Sequence, residues 1–175
     1  MTIPLDPREI IDRLRLARSE GIGPVTFVEM LRRHGSAGDA LDALPDMARR
    51  AGHGGPLHIA SREEAEGEIE AGETLGARLI VCGDPQFPPL LAALDAPPPV
   101  IWVKGDAAIL HQPAVAVVGA RVASAAGQNF ARGLGRGLGE AGYVVVSGLA
   151  RGIDAAAHEG SLATGTVAVL AGGID

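Results

Sequence analysis

Three short apolar runs in the last third of the chain constrain its fold most: Val115–Val118, Val144–Val146 and Val167–Leu170. Each is followed by a turn of small residues. A stretch long enough for a helix, about Ser124–Ala141, joins the first run to the second, and a shorter one, about Ile153–Thr164, joins the second to the third. Strand, turn and helix in this alternation write a parallel sheet of the α/β class. Crossovers between parallel strands are right-handed, so the strands are expected to form one parallel array.

Composition matters here for what can fill the core. Apolar residues make up 47% of the chain but aromatics only 3%, so the core must be aliphatic. No apolar run approaches the roughly 20 residues that span a bilayer. Asp6 and Glu9 interrupt any basic-then-apolar signal pattern at the start. Cys82 is the single cysteine and cannot form an internal disulfide, so it is expected as a small buried side chain in a cytoplasmic protein. The net charge of −6 misleads if taken whole. Residues 1–60 hold 8 basic and 8 acidic side chains, residues 61–110 hold 3 and 9, and residues 111–175 hold 4 and 4. The excess acid therefore sits in the middle, mostly in Glu63, Glu64, Glu66, Glu68, Glu70 and Glu73, read as a solvated helix face. Global charge gives no support for nucleic-acid binding and leaves room for a local basic site.

Upstream, residues 8–20 have Ile10, Ile11, Leu14 and Ala17 on one helical face, with Asp6-Pro7 as cap and first-turn proline. Gly21-Ile22-Gly23-Pro24 breaks that helix. A second follows over Val25–His34 and ends at Gly35. Ser36–Ala51 suggests two short helical pieces around Pro45, and residues 52–56 a linker. Ser61 with Glu64 predicts a capping box opening another helix, whose apolar stripe, Ala65, Ile69 and Gly72, is weak. Leu79–Cys82 and Val100–Val103 read as strands, separated by a turn at Gly83-Asp84-Pro85, a short helix from Pro88 and an extended Pro97-Pro98-Pro99. The expected organisation is a helical module over 1–55, a connector over 56–110 and an α/β domain over 111–175. In the helix Ser124–Ala141, Phe130, Leu134 and Leu138 are expected to form the buried face, with Gly133 and Gly137 permitting close packing on the sheet.

Ligands of open α/β sheets bind beyond the carboxyl ends of the strands. Here those ends are 119–124, 147–152 and 171–173. Their backbone amides and the helix starts that follow favour an anion. Arg121 and Arg151 add forked donors that suit phosphate oxygens. Gly119, Arg121, Ser147, Gly148, Arg151 and Gly152 are thus the candidate phosphate site. No G-x-G-x-x-G occurs at the first turn and no G-x-x-x-x-G-K-[ST] anywhere. An arginine at this turn suits an extended phosphodiester better than a pyrophosphate pressed on the backbone. Asp154 and His158, at i and i+4, read as an acid–base pair or as structural groups, with Asp154 capping free amides and His158 a supporting hydrogen bonder. No other histidine stands at a catalytic spacing, no cluster has zinc spacing, and nothing resembles G-x-S-x-G.

These residues resemble the DNA-processing protein A family (DprA, also called Smf). The resemblance rests on Val115–Arg121, on Val145-Val146-Ser147-Gly148-Leu149-Ala150-Arg151-Gly152-Ile153-Asp154, on Ala157-His158, and on Ala168–Asp175. Gly83–Leu91 and Pro98–Gly105 are similar to the family's lead-in. The resemblance implies an extended Rossmann-like domain that binds single-stranded DNA, protects it and helps load the RecA recombinase in natural transformation. It implies homodimers, no catalysis and no cofactor. The family's phosphate-binding arginine maps onto Arg121, and its glycine-rich loop onto Ser147, Gly148 and Gly152. Two departures stand out. Ala120 occupies the place of a serine or threonine, which removes one hydroxyl donor to phosphate. The chain also stops at Gly-Gly-Ile-Asp where the family continues, so it reads as a fragment with half its sheet.

The N-terminal module resembles the family's sterile-alpha-motif-like module. Its turn Gly21-Ile22-Gly23-Pro24 resembles a helix-hairpin-helix, which makes Gly21, Gly23, Arg32 and Arg33 candidate auxiliary DNA contacts. Two other function classes remain open on sequence. One is a nucleoside-monophosphate phosphoribohydrolase, of which Ala171-Gly172-Gly173 is a partial echo without the catalytic glutamate. The other is a partner-docking role for the helical module. No metal is expected.

Overall fold

A computed structural model describes residues 4–50, 52, 55 and 57–174. The chain divides into two compact units, Met1–Gly105 and Asp106–Asp175.

The first unit opens with α1 (Pro7–Arg18), α2 (Pro24–His34) and α3 (Ala37–Arg50). The side chain of Asp6 accepts the Arg8 amide and Pro7 fills the first turn, so α1 starts where its cap dictates. Gly35 closes α2 at φ 85°, a conformation that only glycine adopts freely. Leu16, Phe27, Met30, Ala37, Ala40, Leu41 and Leu44 form the core of the three helices.

In place of two short pieces, α3 is one helix with Pro45 inside it. An interior proline costs about 3 kcal/mol through its missing amide. Ala37, Ala40, Leu41 and Leu44, all buried, anchor the preceding turns in the core and hold the helix through that defect. The expected linker, 52–56, falls mostly outside the described residues, as does Ala51 at the end of the expected helical region.

The segment expected as a connector is packed into this unit. Ser61 caps α4 (Arg62–Thr74) in a complete capping box with Glu64. Two antiparallel strands follow, β1 (Ala77–Val81) and β2 (Val100–Lys104), pairing Leu79 with Trp102 and Val81 with Val100. The one-turn helix α5 (Pro89–Ala92) lies between them in sequence. The guanidinium of Arg18 grips both carboxylate oxygens of Glu68, with Nε–Oε2 at 2.8 Å and Nη2–Oε1 at 2.7 Å, while Trp102 Nε1 donates to Oε1 at 3.0 Å. The Trp102 ring occupies the space a side chain would need at Gly72, so the gap in the α4 stripe is where β2 docks its tryptophan. Cys82 is half-buried against the helical core; burial raises its thiol pKa, and its carbonyl accepts from Arg13.

The second unit is a parallel sheet in the order β3-β4-β5: β3 (Ala114–Ala116), β4 (Val144–Ser147) and β5 (Thr166–Ala168). Its crossovers are α6 (Ala125–Glu140) and α7 (Ile153–Ser161). The ladder runs one bond past β3 and β5, since the Val117 amide donates to Val146 and the Val169 amide to Ser147, each at 2.9 Å. Consecutive strands are neighbours, so crossovers of one hand place both helices on one face, where they pack together. Val117, Val145 and Ala157 are the buried core, closed by Leu138 and Ile153.

The buried face of α6 differs from expectation. Phe130 is 73% exposed and Leu134 40% exposed, and only Leu138 of the expected triplet packs on the core. Ala131 and Gly135 face inward instead. The reason is helix spacing. Gly135 sits against the Ala157 carbonyl, Gly139 against Thr164, and Gly160 of α7 against the Arg132 carbonyl, so large side chains have no room between the helices. Gly133 and Gly137 meet nothing within 4 Å and are not the close-packing glycines. Tyr143, just before β4, is also exposed.

Candidate nucleic-acid interface

The turns after β3 and β4 are locked together by backbone fit. The Ile153 amide donates to the Ala120 carbonyl at 3.2 Å. Gly119 lies so close to Ile153 that an added Cβ would stand 2.7 Å from its side chain. Gly152, at φ 89°, meets the carbonyl oxygens of Ala120 and Arg121 where a Cβ would be. Glycine is required there on both counts, conformation and space. The main chain of Arg121 is thereby set against the residue that follows Arg151.

Asp154, in the first turn of α7, clasps the same two turns. One carboxylate oxygen accepts the Gly119 amide at 3.3 Å and the other the Gly148 amide at 3.2 Å. The carboxylate is buried, at the positive end of a helix, and takes charge-assisted bonds from both loops. Gly119 and Gly148 were expected to offer their amides to phosphate; here those amides have an internal acceptor. Ser147 was expected in the same role, yet its hydroxyl is buried and donates to the Val117 carbonyl at 2.6 Å, tying β4 to β3. These three residues build the loops from inside.

The outward-facing groups are others. Arg121 and Arg151 are exposed, and neither enters an ion pair among the described residues. No acceptor among the described residues takes the main-chain N–H of Arg121 or Val122, or of Leu149, Ala150 or Arg151. Leu149 has φ 57°, and it is the non-glycine residue with positive φ in the described chain. The left-handed region costs such a residue on the order of 1 kcal/mol. Ser124 caps α6 through the Gly127 amide at 3.1 Å, so the helix start beside Arg121 is partly satisfied.

His158 is buried, and its Nδ1 lies 2.7 Å from Thr166 Oγ1. The Thr166 hydroxyl donates its proton to the Val145 carbonyl at 2.8 Å, so Nδ1–H must donate to Thr166. Nε2 is left buried without a partner. No hydrogen bond joins Asp154 to His158 among the described residues; each serves its own internal partners.

In the first unit, Gly21 takes φ 74° and Gly23 begins α2 with no side-chain cap. Arg32 and Arg33 lie in the last turn of α2, roughly 13 Å from the hairpin at 1.5 Å per residue. The structure does not bring the two pairs together. No group of three or more His, Cys, Asp or Glu that can hold a metal occurs among the described residues, and no helix there is long and apolar enough to cross a membrane.

The interlocked turns, with two unpaired guanidiniums and unclaimed amides at the carboxyl ends of parallel strands, belong to an α/β domain of the Rossmann-like class. Comparison with known proteins agrees with that class. The profile of the family described as DNA recombination-mediator protein A matches residues 78–175, and that of a DprA-like N-terminal HHH domain matches residues 7–71. A DprA-named protein of Mycobacterium tuberculosis is 37% identical over 172 residues, covering 88% of this chain and 40% of that protein. Protein Smf of Synechocystis sp. is 34% identical over 115 residues, 61% of this chain and 28% of its own length. The X-ray structure of DNA processing protein A from Streptococcus pneumoniae superposes with a TM-score of 0.62 at 28% identity, over 96% of this chain and 58% of that one. The chain belongs to the DNA recombination-mediator protein A family, and it spans about two-fifths of the length of the M. tuberculosis relative.

Sequence reasoning missed Leu149 and the outward position of Val122. It also assigned to phosphate the amides that Asp154 holds. The spacing from Gly148 to Asp154 carried the signal for that clasp, because an acid in the first turn of a helix is placed to accept amides from the turn before it.

Proposed function

We propose that this chain binds single-stranded DNA through its phosphate backbone at the turns after β3 and β4. Arg121 and Arg151 are the cationic contacts, supported by the unclaimed amides beside them. One observation carries the reading: two exposed, unpaired arginines stand on turns locked together by Gly152 and Asp154. Phosphate recognition by such groups is independent of base sequence and sensitive to salt. The names of the relatives speak for DNA processing. In that setting the chain protects incoming single strands and hands them to the RecA recombinase in the cytoplasm, in natural transformation, acting as a homodimer without catalysis. Asp154 and His158 bond internally, which favours a structural role for both over acid–base chemistry. The hairpin at Gly21 and Gly23 supplies an auxiliary phosphate contact; Arg32 and Arg33 reach a separate stretch of strand.

The test is a titration of a labelled oligonucleotide at two salt concentrations, for the parent and for Arg121→Ala and Arg151→Ala. Each variant is expected to bind about tenfold more weakly across unrelated sequences, with the log–log salt slope reduced by about 0.7 per lost phosphate contact. Parent-like affinity and slope in both variants would overturn the assignment.

A further inference from the structure

Resting on that reading, we infer that Val122 and Leu149 form an aliphatic platform for the faces of unpaired nucleobases beside Arg121 and Arg151, making the site selective for single-stranded over duplex DNA. Val122 directly follows Arg121 and Leu149 precedes Arg151 by two residues, so both apolar side chains ride on the turns that carry the cations. Those turns are bound to each other through the Ile153 amide, Gly152 and the Asp154 clasp. Val122 is 92% exposed and Leu149 54% exposed, and neither belongs to the core of its unit.

Leu149 carries a second, independent argument. It holds a left-handed backbone conformation in a loop that uses glycine at Gly148 and Gly152. A glycine at 149 would relieve the strain, and the leucine side chain offsets little of it through burial, since more than half of it faces solvent. Strain of this kind, held at a ligand-facing turn, points to a use for the side chain in binding.

The chemistry of that use follows from the neighbours. A bare phosphate needs only the cations and amides, and gains nothing from methyl groups. A single strand offers, one bond set away from each phosphate, a flat apolar base face. In a duplex those faces are stacked and hidden. Methyl groups of valine and leucine cover a base face without reading its edges, which adds affinity without sequence preference.

The experiment compares a short oligothymidylate with an abasic oligomer of equal length and equal charge. The proteins are the parent, Val122→Ser, the double variant Val122→Ser with Leu149→Asn, and Arg121→Ala. Asparagine tolerates the left-handed conformation, so the double variant keeps the turn, and Val122→Ser alters an exposed loop position. The parent is expected to bind the thymidylate about tenfold more tightly than the abasic strand. The double variant should lose that gap while its abasic affinity and salt slope stay unchanged, and Val122→Ser should fall between. Arg121→Ala should weaken both ligands and keep the gap. Equal binding of the two ligands by the parent, or a full gap in the double variant, overturns the platform and leaves the phosphate site standing. Failure of the parent to bind either ligand overturns the phosphate reading and the platform with it.

Discussion

The same side chain does opposite work in the two units. Three arginines of α1 are taken up by acceptors within their own unit: Arg13 bonds Glu9 and the Cys82 carbonyl, Arg15 bonds Asp12 and the Ala60 carbonyl, and Arg18 grips Glu68. They hold the helical module to α4 and the β1–β2 pair. Arg121 and Arg151 of the second unit have no ion-pair partner among the described residues, and their loops are held by Asp154 through neighbouring amides instead. A cation with its own carboxylate is structure; a cation whose scaffold is closed by some other group is free for a ligand. Since residues 111–175 hold as many acids as bases, it is the placement of the acids that leaves the two arginines available.

That contrast can be broken or sharpened by substitution. The largest effect is expected at Gly152→Ala, which forces a Cβ into the Ala120 and Arg121 carbonyls from a positive φ. The second unit should lose roughly 3 kcal/mol and oligonucleotide binding with it, read by thermal unfolding and titration. Asp154→Ala leaves two amides without their acceptor and should cost about 2 kcal/mol, again with loss of binding although no ligand contact is removed. Retained affinity in a folded Asp154→Ala protein would show that the clasp is not what shapes the site. Arg18→Ala, in a half-exposed pair, should lower stability by about 1 kcal/mol and leave oligonucleotide affinity unchanged. Arg121→Ala is the mirror case, with tenfold weaker binding as above and a change in stability within about 0.5 kcal/mol.

The smallest effect is a pH dependence. Hydrogen bonding from Arg18, aided by Trp102, holds the Glu68 carboxyl below the ordinary glutamate range against an opposing effect of burial. A carboxylate depressed in the folded state stabilises the fold above its unfolded value of about 4.3 and loses that contribution as pH falls through the folded value. Denaturant unfolding at neutral pH and near pH 3 should therefore show a larger loss for the parent than for Glu68→Gln. The difference should be below about 1 kcal/mol because the pair is partly solvated.

Much of the local structure was legible before any fold was known. Asp6-Pro7, Gly35 and the Ser61/Glu64 box each act within a few residues of themselves, so their physics is contained in the sequence. The three strands and two crossovers were legible for the same reason: apolar runs and small-residue turns mark the elements, and chain connectivity with crossover hand orders them. The inward face of α6 was not. Phe130, Leu134 and Leu138 make one helical stripe, and Gly127, Ala131 and Gly135 make another. Periodicity cannot choose between them, because the choice depends on how closely α7 approaches.

Sequence by itself determined the α/β class, the helical caps, the position of the strand-end turns and the presence of an arginine on two of them. Tertiary structure decided which groups on those turns face outward. It gave the Gly119 and Gly148 amides to Asp154, turned the Ser147 hydroxyl inward to the Val117 carbonyl, and left Arg121, Arg151, Val122 and Leu149 outside. The physical reason is that every buried donor must find an acceptor, and which acceptor lies within reach is a property of residues up to 35 positions apart, brought together only by packing.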